Sequence, residues 1–504
     1  MNKINRKNIN NLIGVSLFIM ACISMSLIVR TAFGDDIWYD EVFSLNFAKK
    51  SFGDIVSLTA KDVHPPLYYF YLKIVTTLLS FLAPGMSFTV CAKMASVIPW
   101  IVIMILAVTI IRKKFGIITA GMFALLVSSM PQIGYYYVEV RMYAFALLLI
   151  TISFMALIGI IDDSSKKVNW IVFFVAGILT AYTQYYALIG VIGLYIVLFV
   201  HQVINKNIKD KKIYVMAVFS IIMYVPWIPS LLNQMANVSE SYWIQPLTLR
   251  SILGCVKYMF LPSGWGGIMI YAITALMICV TILVLVMFFI MKPSKRDMII
   301  GMSGIIVLGT VILSGFVLSW LNRPIFVYRY MIPVLGVFYL SLAFMLGRVI
   351  NKCNILVVLI IIYAVGGYYT TDAILNEENN KLEQSKNAMQ VLESIPEGSV
   401  IITNFDHVTT LMDYYKENCD IYLYEGELDP LVEYMFNRPN QTMQRSQIEN
   451  LVATNQNVYF FGSFNSRDEI LEDWSSLGIT SNEQASILIE RYWINIWELK
   501  HDGI

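Results

Sequence analysis

The residues of this chain best suited to chemistry are carboxylates and guanidiniums set beside long apolar runs. Asp40 and Glu41 stand together in WYDE, flanked by Trp38, Tyr39 and Phe43, inside the stretch Asp35–Tyr71 (DDIWYDEVFSLNFAKKSFGDIVSLTAKDVHPPLYYFY). The first 371 residues carry only 12 Asp and Glu, and six of these fall between Asp35 and Asp62. A carboxylate beside a membrane is costly unless it faces water or a partner, so the cluster marks a candidate site. In partly dry surroundings such a carboxylate can take a proton from an attacking hydroxyl. Other polar residues recur beside apolar runs: Asp62 and His64 in DVHPP, Glu139 and Arg141 in YYYVEVRMYAF, Tyr182, Gln184, Tyr185 and Tyr186 in AYTQYYAL, and Arg323, Arg329 and Tyr330 in NRPIFVYRYMIP. Arginine grips phosphate through a planar fork of donors. Together these groups suit a substrate with an apolar tail, an anionic headgroup and a polyhydroxylated end.

Each residue also has a purely structural alternative. Asp40 or Glu41 can cap a helix, Glu139 and Arg141 can pair at a helix end, Arg329 can anchor a leaflet, and His64 can simply mark a helix start. The tyrosine-rich turns can be an interfacial belt.

The elements that must hold these residues are membrane helices. The 504-residue chain is 57% hydrophobic and 14% charged, with a mean hydropathy of +0.64; soluble domains sit near ~45–50% apolar and ~25% charged. Apolar runs long enough to span are Leu12–Val29, Met94–Ile111, Ile117–Gly134, Met142–Ile161, Val168–Tyr186, Ala187–Ile204, Ile213–Leu231, Gly267–Met291, Met298–Trp320, Phe326–Gly347 and Asn354–Tyr369. Lys3, Arg6 and Lys7 before the first run resemble a signal peptide, but with further spans following, the run reads as an uncleaved helix. Cys22, Cys91, Cys255, Cys279, Cys353 and Cys419 show no paired spacing, hence no zinc motif or disulfide framework.

One further run, Pro65–Leu82, is ambiguous, and the basic residues decide it. If it does not span, Arg112–Lys114, Lys166–Lys167, Lys206–Lys212, Lys292–Arg296 and Arg348–Lys352 all fall on the cytoplasmic side with the amino terminus. It is therefore expected to lie on the outer leaflet, with Tyr68, Tyr69, Phe70 and Tyr71 as anchors. That gives about eleven spans, a first outer loop over residues 31–92, and a tail outside. The tail (372–504) carries 23 acidic and 8 basic residues, which speaks against nucleic acid or anionic lipid as partner. Its strand-like runs Ser399–Ile402, Ile421–Tyr424, Val458–Phe461 and Ile487–Leu499 alternate with helical patterns at Lys381–Ile395, Thr409–Tyr415 and Asp468–Ser476, a small α/β domain with no phosphate loop or nucleophile signature.

The order of WYDE, D-x-HPPLYY, P-x-x-x-YYYVEVRMYA, YTQYYAL, VPWIPSLL with YWI, and F-x-x-RYMIP resembles membrane glycosyltransferases of the GT-C fold. The nearest group is the dolichyl-phosphate-mannose–protein mannosyltransferase-like family, more distantly the lipid A aminoarabinose transferases; the likeness runs over roughly Leu12–Gly347. It implies an inverting glycosyltransferase of the cell envelope that uses a polyprenyl-phosphate sugar, with Asp40 and Glu41 as the catalytic acidic motif and Glu139 as the acidic position of the second outer loop. Arg329 and Tyr330 would face the lipid phosphate, with Arg141 able to share that task. Glu41, Asp62, His64 and Glu139 would orient the acceptor or hold a divalent ion, Mg²⁺ or Mn²⁺, though nothing requires one. Tyr182, Gln184 and Tyr185 join as substrate-binding candidates. The aminoarabinose transferases have a lysine where this chain has His64, which can donate to phosphate only if protonated. The rival reading is a transporter or flippase of lipid-linked saccharides, which would place charges at the membrane midplane and show repeats. A third is a receptor without activity, indifferent to loss of Asp40.

Overall fold

The computed structural model describes residues 3–34, 36–237, 244–262, 267–321, 323–352, 358–428, 430–436 and 441–501. Asp35, Tyr242, Trp243, Cys353 and the Asn354 start of the last expected span lie outside these residues. Among the described residues nine helices are long and apolar enough to cross a membrane: Lys7–Phe33, Phe88–Phe115, Tyr143–Asp162, Tyr185–Ile204, Lys212–Ala236, Ile268–Ile290, Lys295–Leu321, Tyr328–Asn351 and Val358–Ser394. The protein is a multi-pass α-helical membrane protein.

Two of the eleven expected spans are realised as shorter helices, Ile117–Ser129 and Lys167–Ala181. At ~1.5 Å per residue the first is only about 20 Å long. Apolar composition continues past both ends, but helix does not. Pro131 disfavours helical backbone at Met130, and Gln184 starts a new helix by accepting the Ala187 N–H at 2.7 Å. Ion pairs nevertheless show that both segments traverse the bundle. Asp162 pairs with Lys114 (2.7 Å) and Arg296 (2.5 Å), and Asp297 with Arg296 and Arg348 (3.0 Å each). Lys212 donates to the Ser164 carbonyl and Lys295 to that of Ile204. Residues from all five basic clusters therefore meet at one end, Lys166 through its pair with Asp163. The stretches 116–142 and 167–184 must each climb to the opposite end for the helices that follow to return. Pro65–Leu82 forms a short helix, Leu67–Leu82.

Close approach in this bundle rests on small residues, because lipid gives helices no hydrophobic reason to associate. A Cβ on Gly14 would lie 2.6 Å from the Ile117 carbonyl oxygen, and one on Gly121 would collide with the Gly14 carbonyl. The helices Lys3–Val29 and Ile117–Ser129 thus touch backbone to backbone.

Contacts sort the chain into two compact units that do not follow chain order: Met1–Ala32, Thr59–Leu78 and Cys91–Asn376 form the first, and Phe33–Leu58, Leu79–Val90 and Glu377–Ile504 the second. The second holds a six-stranded sheet: β1 (Val400–Thr403), β2 (Asp420–Tyr424), β3 (Thr442–Met443), β4 (Val458–Ser463), β5 (Ile479–Ile489) and β6 (Tyr492–His501), ordered β3-β2-β1-β4-β6-β5. The β1, β2, β3 and β4 neighbours pair in parallel, while β6 runs antiparallel to β4 and β5. The expected single run Ile487–Leu499 is instead a hairpin, turning at Glu490–Arg491 between the paired residues Ile489 and Tyr492. No Asn-Gly or Asp-Gly marks that turn, and Glu490 takes the left-handed φ of 56° itself. Trp474 is buried against the edges of Tyr424 and Phe460 on one face of the sheet.

Gly121→Val should lower the thermal midpoint of the solubilised protein, by overpacking worth about 1–3 kcal/mol. Gly309→Ala, where nothing lies within 4 Å of a new Cβ, should leave it unmoved. Equal midpoints for the two variants would rule out the backbone contact.

Candidate active site

In the first unit the polar residues gather at the end away from the basic clusters. The extended HPP segment leads into Leu67–Leu82, whose first N–H bonds the Tyr182 carbonyl at 3.1 Å. That fixes His64, which is buried together with Arg141. Arg141 Nη2 lies 2.9 Å from His64 Nε2. A guanidinium only donates, so Nε2 accepts and the imidazole proton sits on Nδ1. Burial, and then the charges of Arg141 and Arg329, hold the imidazole well below its ordinary pKa. His64 is thus a neutral acceptor for an arginine, which removes the protonated-donor role the sequence left open for it.

Glu139 and Arg141 come from the irregular stretch that follows Ile117–Ser129. The Glu139 carbonyl accepts from Ser96 Oγ (2.7 Å) and from the Arg141 N–H (2.8 Å), so the helix carrying Ser96 sets the position of both. The Glu139 carboxylate acts electrostatically on Tyr136 and Tyr258, whose hydroxyls are 3.3 Å apart. Burial first, and then Tyr258 and Glu139, push the Tyr136 hydroxyl well up, so it keeps its proton. Arg329, from the short turn Tyr328–Met331, lies within electrostatic reach of His64, Tyr143 and Tyr258. Tyr330 stacks on Tyr186, centroids 4.6 Å apart. One cluster thus holds two guanidiniums, one carboxylate, a neutral imidazole and several protonated phenols.

Asp62, Tyr182, Gln184 and Tyr185 form an adjoining set tied by other bonds. Tyr182 donates to the Met223 carbonyl (2.8 Å), Tyr185 to Gln234, and Trp227 Nε1 to the Tyr185 hydroxyl (3.0 Å). Gln234 donates in turn to the Thr59 carbonyl (2.7 Å), and Asp62 acts electrostatically on Tyr185. Gln184 is the helix cap described above. These bonds knit the loops around the cluster.

Asp40 and Glu41 belong to the second unit, in the first turn of the helix Tyr39–Lys49. Glu41 is buried, and its Oε2 accepts the Trp38 N–H at 3.1 Å, which caps the helix start from one side. Asp40 is half-buried with Oδ2 shielded from solvent, at the end of the helix that favours negative charge. Among the described residues no group of three or more His, Cys, Asp or Glu is placed to hold a metal ion.

Sequence reasoning missed Tyr258 and Ser96, although Lys257 beside the first and Lys93 one helical turn before the second mark both stretches as polar. It also passed over Lys93, which is buried on the face of its helix shared by Ser96 and Trp100. Tyr68 and Tyr69 are buried in the protein, and Tyr71 stacks on Phe145 at 4.2 Å while donating to the Ala95 carbonyl. This corrects their reading as lipid-facing anchors: an aromatic girdle and an aromatic packing face look alike in sequence.

No family model and no curated relative matches the chain. Its fold aligns with the crystal structure of ArnT from Cupriavidus metallidurans in the apo state, with a TM-score of 0.58 and 12% identity over 97% of this chain and 98% of that one. The same protein bound to undecaprenyl phosphate aligns with a TM-score of 0.60 and 12% identity, over 96% and 97% of the two chains. The chain has the GT-C fold. The likeness extends well past Gly347 and takes in the C-terminal domain.

A base that is held neutral by burial binds its proton in the unfolded chain before it does in the folded one. His64 should therefore add stability that is complete above about pH 6.5 and is lost as the pH falls below that value. The unfolding midpoint should drop more between pH 7 and pH 5 for the wild type than for His64→Gln, which keeps an acceptor for Arg141. Parallel slopes would refute the neutral imidazole.

Proposed function

We propose that this protein is a glycosyltransferase that moves a sugar from a polyprenyl-phosphate donor to an acceptor hydroxyl on the outer face of the membrane. The observation that carries the reading is the pair of arginines, Arg141 and Arg329, acting on one neutral histidine at one end of an apolar bundle. With His64 uncharged, two positive charges face one carboxylate, Glu139. That surplus suits a phosphate whose negative charge grows as its bond to sugar breaks. The ArnT structure that shares this fold holds undecaprenyl phosphate, which supports a lipid phosphate as the anion; undecaprenyl phosphate is the expected carrier in a bacterium.

The reaction is an inverting displacement. The acceptor oxygen attacks the anomeric carbon, its proton passes to Asp40, and the bond from that carbon to the phosphate oxygen breaks. Polyprenyl phosphate leaves, its charge held by Arg329 and Arg141. Donors of this kind act through charge that is already in place, often the largest catalytic contribution. Asp40 is chosen over Glu41 because Glu41 is engaged in the helix cap. Glu139 and Asp62 orient the acceptor. The basic end of the bundle and the amino terminus face the cytoplasm by the positive-inside rule, with the C-terminal domain outside.

The test is transfer from a panel of polyprenyl-phosphate sugars to membrane extracts. Asp40→Asn should lower kcat about 10²–10⁴-fold in protein that folds normally. Arg329→Ala should lower it about 10²–10³-fold, and Arg329→Lys should recover only part, since a lysine lacks the planar fork. Full activity of Asp40→Asn would remove the base. Inactivity of the wild type across the panel, with uptake of a lipid-linked saccharide into vesicles, would replace the enzyme by a transporter.

A further inference from the structure

The C-terminal domain resembles an open α/β sheet in one telling respect. From β1 the chain first builds outward through β2 and β3, then crosses to β4 on the other side of β1. Open sheets of this kind take ligands in the crevice beyond the carboxyl ends of the two strands where the order reverses. Here those ends are Thr403 and Ser463, and Asn404 ties the loops that follow. Its side chain donates to the Ser463 carbonyl and accepts the Ser463 N–H, both at 2.8 Å.

The residues around this crevice carry unusual backbone. Phe464, just after β4, and Glu490, at the β5–β6 turn, have φ of 58° and 56°. A two-residue hairpin normally reserves such a position for glycine. Strain of this kind is kept where the side chain serves a purpose. Glu490 Oε1 accepts the Tyr39 N–H at 2.5 Å, and its Oε2 lies 3.7 Å from His407 Nε2. The His407 ring lies between two others, stacked on Tyr39 at 3.7 Å and on Phe405 at 5.5 Å. Phe464 and Tyr492 meet Phe405 edge-on. Nearby, the Tyr415 hydroxyl takes the Ile37 N–H at 3.1 Å, and Lys49 pairs with Glu417 at 3.2 Å.

We propose that this crevice is filled by the chain's own first loop, and that Glu490 and His407 are positioning residues for Asp40. Tyr39 is the inserted ring, and the residue after it is the base. The loop carries no sheet partner of its own, and its helix is only 11 residues long, which is marginal alone in water. Its direction is therefore set by what grips it. Glu490 fixes the first N–H of the helix and His407 fixes the ring beside Asp40, so the carboxylate is held at one angle. This rests on the assignment of Asp40 as the base.

The hairpin supplies a clean variant. Glu490→Gly removes the carboxylate while relieving the left-handed backbone, so the domain should melt no lower than the wild type. A misplacement of about 1 Å can cost a hundredfold in rate, so kcat should fall about ten- to a hundredfold, with the KM for the lipid donor unchanged. Glu490→Gln, which still accepts from Tyr39, and His407→Phe, which still stacks, should stay within about threefold of wild type; His407→Ala should fall with Glu490→Gly. Because Glu490 acts through Asp40, the double variant Glu490→Gly/Asp40→Asn should be no slower than Asp40→Asn alone. Wild-type kcat in a folded Glu490→Gly protein, or a further fall in the double variant, overturns the positioning role. Full activity of Asp40→Asn in the same assay overturns the base assignment instead.

Discussion

Burying a guanidinium in an apolar bundle is expensive, and much of the candidate site answers that cost. Arg141 cannot lose its proton, so everything near it has to adapt. His64 does so by giving up its own charge and offering a lone pair. The backbone fixes where that guanidinium starts from, since the Glu139 carbonyl accepts the Arg141 peptide N–H and is itself held by Ser96 on the neighbouring helix. The phenols of Tyr136 and Tyr258 keep their protons beside the Glu139 carboxylate and so can donate. A site arranged this way has a fixed positive surplus that water cannot screen well, and in the proposed reaction a phosphate would supply the missing negative charge. The irregular backbone between Met130 and Met142 makes the arrangement possible, because a straight helix there would carry these groups apart.

Most of the bundle was legible from the chain, for a reason that also explains the 12% identity with ArnT. Apolar run length and the placement of lysine and arginine need no particular residue, only a class, and they determine which ends of which segments share a side. Arg296 and Asp162 meet where the basic runs predicted a common face. Exact helix ends were harder. Pro131 and Gln184 end helices inside runs that remain apolar, and hydropathy does not register a broken hydrogen-bond ladder. Likewise Ile487–Leu499 reads as one strand because Glu490 and Arg491 carry no turn signal, although the chain folds back there.

The site was legible by type but not by bonding. Arg141, Glu139, His64 and Arg329 stood out because charge is rare in this chain and costly in its setting. Tyr258 and Lys93 did not, the first lost among 30 tyrosines and the second placed at the edge of an apolar run. The charge state of His64 could not be read at all. It follows first from burial and then from two arginines more than seventy residues away in the chain, and only the fold supplies either.

The second unit changes what the first loop means. Read in chain order, residues 31–92 are a connection between two helices, and WYDE is a motif on a loop. By contacts, Phe33–Leu58 is part of a domain that begins again at Glu377. A catalytic group on a free loop would have to be ordered by substrate in every turnover, at the expense of binding energy. A group whose helix starts on Glu490 and whose neighbouring ring is stacked on His407 is ordered beforehand. The C-terminal sequence carries no phosphate-loop or nucleophile signature, yet in the proposed reaction that part of the chain needs no chemistry of its own to matter for the rate. In that proposed reaction its contribution is the angle at which the Asp40 carboxylate is held. A domain that is silent in sequence would then still set how well the proposed transfer works.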